Sequence, residues 1–369
     1  YIAGAGGVKA PAKADYLFGI KPSYDYTTQI NFKQIDLTAL DTTGVTSMKG
    51  LFSWNANLAS ITFGDRFDTS QVTDMSEMFY RCQKLQTLDL SRFDTSRVEK
   101  MTSMFDTATV QNLVLPTGFV GSATTNTATM FNSAKVSQID ASSWNMENVT
   151  KIGAMFSGCR ASRLNITGWN LNSVQNCFGL FREMINLREI TGLSTLKLPG
   201  CSNMGSRFSS CSKLTSLELG PDFSTKGNQN FSHMFSGLAA LTTLDLSQAD
   251  FDTEAARDFS SMFSGSPSLK TIILGDKFHC HPDARQDMTD MFSNLTALET
   301  LKLGANFQAA PTKTTRMFEG CKSLKTLDLT GLDLDIDRTS SIGFAIYDAA
   351  SMFEGCSSLE SITTGTQWY

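Results

Sequence analysis

Few side chains in this sequence offer chemistry. His279, Cys280 and His281 stand together, followed by Asp283 and Asp287. Two imidazoles and a thiolate are donors that zinc accepts. Their i, i+2 spacing has no second ligand pair, so the segment reads as a solvated polar loop. Asp333, Asp335 and Asp337 alternate. A strand would put their carboxylates on one side, and oxygen donors in a row suit calcium. The run lacks the sixth-position glycine and closing glutamate of a helix-loop-helix calcium site. These three residues are the calcium candidate; otherwise no metal site and no cofactor is expected. The remaining histidine, His233, has no nucleophile paired with it. No nucleophile elbow, phosphate loop or metalloprotease helix occurs, so the chain is expected not to be an enzyme.

The elements that position these residues come from a repeat. In Phe67 to Leu90 the apolar residues are Phe67, Val72, Met75, Met78, Phe79, Cys82, Leu85, Leu88 and Leu90. From Val72 to Leu85 they recur every three or four residues, which predicts a short helical segment. Leu88 and Leu90 are two apart, which is strand spacing. With the phenylalanine after Met78 as marker, copies fall at Phe52, Phe79, Phe105, Phe131, Phe156, Phe181, Phe208, Phe235, Phe263, Phe292, Phe318 and Phe353. The residue before the marker is Met or Leu except at Arg207. The expected fold is an α/β solenoid: a leucine-rich repeat superhelix of about 12 repeats, with a parallel β-sheet on the concave face and short helical segments opposite.

Residues 1–31 carry no repeat and read as a leader and N-terminal cap, in which Tyr16, Leu17, Phe18, Tyr24 and Tyr26 cover the open end of the stack. Residues 32–364 form the solenoid. Residues 365–369 are its C-terminal end, and the abrupt start and finish predict a fragment of a longer protein. The net charge of −5 and acidic pI of about 5.3 argue against a nucleic-acid partner. No apolar run reaches the roughly 20 residues of a membrane helix, so this fragment is not expected to insert in a membrane.

Five of the 8 cysteines, Cys82, Cys159, Cys211, Cys321 and Cys356, lie three residues after a marker. Other turns place Ala, Met or Leu at that phase, which reads as buried thiols packed as small hydrophobes. The alternative is a disulfide between neighbouring turns, for which Cys321 and Cys356 are the equal-phase pair. Cys177 and Cys201 read as structural. Trp144 and Trp169 replace Phe67 and Phe93 and are expected to plug the corner of their turns.

Two surfaces are candidates for binding a partner. Between the last two leucines of each frame one residue points away from the core. On the concave face these include Asp89, Asp140, Asn165, Glu218, Asp245, Ile273, Lys302 and Asp328. Such a face either docks a basic or amphipathic protein or is a solvated sheet of ordinary composition. The second surface is the irregular stretch 182–208, where Glu183, Arg188, Glu189 and Arg207 suggest a bulged or re-aimed turn. Drift in a single copy explains the same residues.

The run FDTSxVxxMxxMFxxCxxLxxLDLS resembles the BspA-like leucine-rich repeat surface proteins of bacteria. FDTSQVTDMSEMFYRCQKLQTLDLS carries the resemblance, with FDTSRVEKMTSMF after it, and it extends over about residues 32–364. The resemblance implies an extracellular, cell-surface solenoid acting as an adhesin for a protein or glycoprotein of a host or neighbouring cell. A structural spacer that projects another domain is the alternative. The resemblance carries over no catalytic residues and no fixed binding residues.

Overall fold

A computed structural model describes residues 7–21, 30–175, 177–197, 201, 203–281, 285–332 and 348–365. It divides into two compact units, Tyr1–Val174 and Gln175–Tyr369. Each is a parallel β-solenoid, and together they make about ten turns with almost no helix.

The leucine frame forms strands because its apolar residues alternate. In Gln34–Leu37, Ile35 and Leu37 are buried while Gln34 and Asp36 are exposed. This strand pairs in parallel with Ser60–Phe63, Asp36 opposite Thr62. Further along the first unit, Leu85–Asp89 pairs with Val110–Val114, and Ile139–Asp140 with Arg163–Asn165. In the second unit Thr243–Asp245, Thr271–Ile273 and Thr300–Lys302 form one parallel sheet. There, Thr326–Leu329 pairs with Ser361–Thr364.

The expected helical segments are absent from the described residues; the one helical element is the 3-10 turn Leu193–Thr195. After Val72 the backbone runs as successive three-residue turns. Val72 N–H donates to the Thr69 carbonyl (2.9 Å), Met78 N–H to Met75 (3.3 Å) and Cys82 N–H to Phe79 (3.1 Å). These steps bring in every third residue and so imitate helical spacing. From Met75 to Arg81 every second N–H points up the stack. Met75, Glu77, Phe79 and Arg81 donate to the carbonyls of Lys100, Thr102, Met104 and Asp106 at 2.9, 2.8, 2.9 and 3.0 Å. Glu77 (φ 59°) and Arg81 (φ 58°), two residues either side of Phe79, are left-handed. A left-handed residue costs an L-amino acid roughly 1–2 kcal/mol and ends any helix at once. Hydrogen bonding to the next turn offsets that cost and leaves the backbone paired.

The core is a column of rings. Phe52 stacks on Phe79 at 5.5 Å, Phe79 on Phe105 at 5.4 Å and Phe105 on Phe131 at 4.9 Å. The second unit repeats this from Phe181 to Phe353, with Phe292 on Phe318 at 5.2 Å. The column also includes Phe18, 5.9 Å from Phe52. Ala14, Tyr16, Phe18 and Ile20 donate N–H groups to the carbonyls of Ser47, Lys49, Leu51 and Ser53. Residues 14–20, assigned by sequence to a stretch without repeats, therefore adopt the repeat's own turn. Tyr24 and Tyr26 lie outside the described residues.

Trp144 and Trp169 are buried in the corner column, and Trp169 Nε1–H donates to the Ala141 carbonyl at 2.9 Å. The disulfide joins Cys177 to Cys201, with Cα atoms 6.1 Å apart. Cys321 and Cys356 are free thiols, donating to the carbonyls of Phe292 and Phe318. Of the two readings of the equal-phase cysteines, the free thiols hold, with Cys356 half-buried, and the disulfide alternative does not. Cys177 stands four residues before its marker and Cys201 seven before the next, so a comparison at one phase misses them.

Candidate functional site

The frame positions the outward residues of the sheet face in columns. Asp89 stands opposite Val114, Asp140 opposite Asn165, Asp328 opposite Thr363, and Asp245, Ile273 and Lys302 are in register on three strands. Asp89, Asp140, Glu218, Lys302 and Asp328 are exposed, and Asn165, Asp245 and Ile273 are half-buried. Val114 adds an exposed apolar group to the first unit's face, at 44 %.

Most of these carboxylates have a second task. Asp89 Oδ1 accepts the Ser91 N–H at 2.9 Å, Asp245 Oδ1 that of Ser247 at 2.9 Å, and Asp328 Oδ1 that of Thr330 at 3.0 Å. Asp140 accepts both the N–H and hydroxyl of Ser142, and Asn165 those of Thr167. Each is an Asx turn that closes its strand. The Ser91 hydroxyl and N–H hold the Asp89 carboxyl below the usual range, and Ser142 does the same for Asp140. The Asp-Leu-Ser ending of the frame is therefore first a turn signal. The D-x-S/T spacing is the sequence signal of these caps.

Where Asp245, Ile273 and Lys302 align, a groove of about 400 Å³ opens beside them. Phe251, Leu274, Asp276 and Lys277 line it together with Ile273 and Lys302. It combines an apolar floor with charges of both signs.

The stretch 182–208 is less irregular than its sequence. Glu183 keeps the repeat's left-handed turn (φ 58°) and pairs with Arg182 at 2.6 Å. Arg188 and Glu189 are exposed. Arg207 is corrected: it is no surface residue but is wholly buried in the core phase of its turn. Its guanidinium lies over the rings of Phe223, Phe181 and Phe208 at 5.3, 5.9 and 6.0 Å. None of its three nitrogens has a hydrogen-bond partner. Burial alone pulls its pKa down to about 9. The backbone of the turn is not re-aimed, since Phe181 N–H still donates to the Arg207 carbonyl at 3.0 Å.

The calcium candidates Asp333, Asp335 and Asp337 lie outside the described residues, as does Asp283. His279 and His281 do not lie on an isolated loop. They stack on the preceding turn, His281 N–H donating to the Glu254 carbonyl at 3.3 Å. Asp287 is committed elsewhere, accepting from Thr289 N–H and Lys313 Nζ, each at 3.0 Å. His233 is a left-handed turn residue two before its marker. No described helix is long and apolar enough to cross a membrane.

Parallel ladders, a leucine frame and a stacked phenylalanine column define a leucine-rich parallel β-solenoid. The chain belongs to the family described as "Mycoplasma protein of unknown function, DUF285", whose model matches residues 21–134, 115–196, 202–332 and 229–366. Among solved structures it is similar to a leucine-rich repeat protein from Eubacterium ventriosum, at 15% identity and a TM-score of 0.39, over 91% of this chain and 84% of that one. It is also similar to a leucine rich cell surface protein from Faecalibacterium prausnitzii, at 15% identity and a TM-score of 0.29, over 99% and 89% of the two chains. No curated protein matches it. At those TM-scores the fold description rests on the hydrogen-bond ladders of the chain itself.

Proposed function

We propose that this chain is a non-enzymatic binding module of about 12 BspA-like leucine-rich repeats on a bacterial cell surface. Its ligand is a protein or glycoprotein of a host or neighbouring cell, met by the sheet face. The observation that carries this reading is the aligned row Asp245, Ile273 and Lys302, of which Ile273 and Lys302 line the groove. A rigid apolar floor with flanking charges suits a protein surface better than a small polar substrate. The Cys177–Cys201 disulfide supports an oxidising, extracellular setting.

The test is solid-phase binding to matrix proteins, mucins and whole cells, beside a variant carrying Asp245→Asn, Ile273→Ser and Lys302→Ala. Asparagine keeps an Oδ1 acceptor for the Ser247 N–H, so the charge is removed without opening the turn. Saturable binding that falls at least tenfold in the variant is the expected result; hot-spot losses reach about 2 kcal/mol or more. Binding that the variant keeps would move the site off this face.

The second reading is a spacer that projects another domain. It is favoured by the commitment of Asp89, Asp140, Asp245 and Asp328 to turn closure, which explains those carboxylates with no ligand. Absence of saturable binding to every surface tested would support it.

A further inference from the structure

We propose that Asp252, Glu254 and His279 bind one divalent transition-metal ion, with zinc the best fit, at a corner of the second unit. The corner is built like a short strand pair. Phe251 and Thr253 point inward and are buried, so Asp252 and Glu254 project outward. One turn later Phe278 and Cys280 are buried, so His279 and His281 project outward. Thr253 Oγ1–H donates to the His279 carbonyl at 2.7 Å, and His281 N–H donates to the Glu254 carbonyl. A carboxylate-x-carboxylate segment thus lies against a His-x-His segment 27 residues further on. The ligand pair that the His-x-His run lacked along the sequence is supplied by the neighbouring turn.

One ligand atom from each of Asp252, Glu254 and His279 lies within 4.8 Å of the other two, and Asp252 Oδ1 also accepts the Glu254 N–H at 2.9 Å. Bonds of about 2.0–2.2 Å from one ion reach three such atoms after small side-chain rotations. A second observation points to something bound there. His279 is half-buried, but its Nδ1 atom is shielded from solvent and has no hydrogen-bond partner. Burying an unpaired imidazole nitrogen is unfavourable, and a cation held by the two carboxylates would stabilise the ring. Access is open to the two carboxylates: Asp252 and Glu254, with His281, line a groove of about 460 Å³. Lys226 and Arg257 line it too, but both are exposed and can swing into solvent.

The donor set selects the metal. An imidazole with two carboxylates suits zinc and its neighbours, whereas calcium and magnesium prefer oxygen alone. The thiol between the two histidines is not a ligand. Cys280 points into the core, and burial pushes its pKa up to about 12.

The test is equilibrium dialysis of the whole chain against zinc, with elemental analysis and thermal melting. The expected result is one zinc per chain, a melting temperature raised by zinc and lowered again by chelator, and an affinity reduced at least about tenfold in both Glu254→Gln and His279→Gln. Glu254 is exposed. Its variant therefore keeps the test decisive even if His279→Gln folds poorly. His233→Gln should bind as the unmodified chain does. No zinc uptake at micromolar concentration, or uptake unchanged in Glu254→Gln, would overturn the assignment.

Discussion

Thr69 and Asp94 exchange hydrogen bonds across one turn of the coil. Thr69 Oγ1–H donates to the Asp94 carbonyl at 3.0 Å, and the Asp94 N–H donates back to Thr69 Oγ1 at 2.8 Å. Thr42 and Asp68 do the same one turn earlier. Meanwhile Asp68 and Asp94 accept the N–H groups of Ser70 and Ser96. The Phe-Asp-Thr-Ser motif is therefore a clasp. Its Phe fills the corner, its Asp closes the turn, and its Thr fastens that turn to the next.

Replacing Thr69 with Val keeps the shape but leaves the Asp94 N–H without this partner. The bond is only part-buried, so the expected loss is about 0.5–1.5 kcal/mol, the net worth of an ordinary hydrogen bond. Thr69→Ser should keep most of the stability. Urea unfolding of the three proteins checks the order; equal stability of the Val variant would remove the clasp from the account.

The ring column should dominate the core. Phe79 is fully buried, so Phe79→Ala should cost about 3–5 kcal/mol. Met78 is fully buried beside it. Met78→Asp places an unpaired charge there and should prevent folding. A normal melt of the Asp variant would show that the register is wrong.

Arg207 should be a stability fault. Arg207→Met restores the repeat's usual residue and removes a buried, unpaired guanidinium, so unfolding should require more denaturant. The pH dependence has a definite sign. Folding holds the Arg207 pKa down at about 9, below its unfolded value. The penalty is fully present below pH 9 and is relieved as pH rises above it, because the unfolded chain then binds the extra proton. The gap between variant and unmodified protein should narrow from pH 9 upward. A gap that stays constant would contradict the burial.

The cysteines should divide into two groups. Burial pushes Cys82, Cys159, Cys211 and Cys321 up to about 12, so the folded chain should resist thiol alkylation at these positions. Half-buried Cys356 should react first. Mass spectrometry of alkylated peptides reads this directly. Converting Cys177 and Cys201 to Ser should destabilise by about 3 kcal/mol from loop closure.

The acid limb follows from the turn caps. Donors from Ser91, Ser96 and Ser142 hold the carboxyls of Asp89, Asp94 and Asp140 below their ordinary range. Their contribution is complete above about pH 4 and is lost as pH falls through the lowered values. A chain with all three changed to Asn should show a shallower decline of melting temperature in acid. An identical decline would mean that these turns close without charge.

Most of the architecture was legible in the sequence because the repeat writes it many times over. Leu85, Leu88 and Leu90 can bury one side of a strand only by stacking on copies of themselves, and the same holds for Phe79 and its column. The period also named the outward column from Asp89 to Asp328. What the sequence did not disclose is where the backbone hydrogen bonds go. Val72, Met75, Met78 and Cys82 have the spacing of a helix, and only the stack shows their neighbours' N–H groups paired to the next turn. The same reason hid the Cys177–Cys201 bond, the clasp of Thr69 and Asp94, and the meeting of Glu254 with His279. Each joins residues about one turn apart along the chain, at offsets that only neighbouring coils in contact can fix.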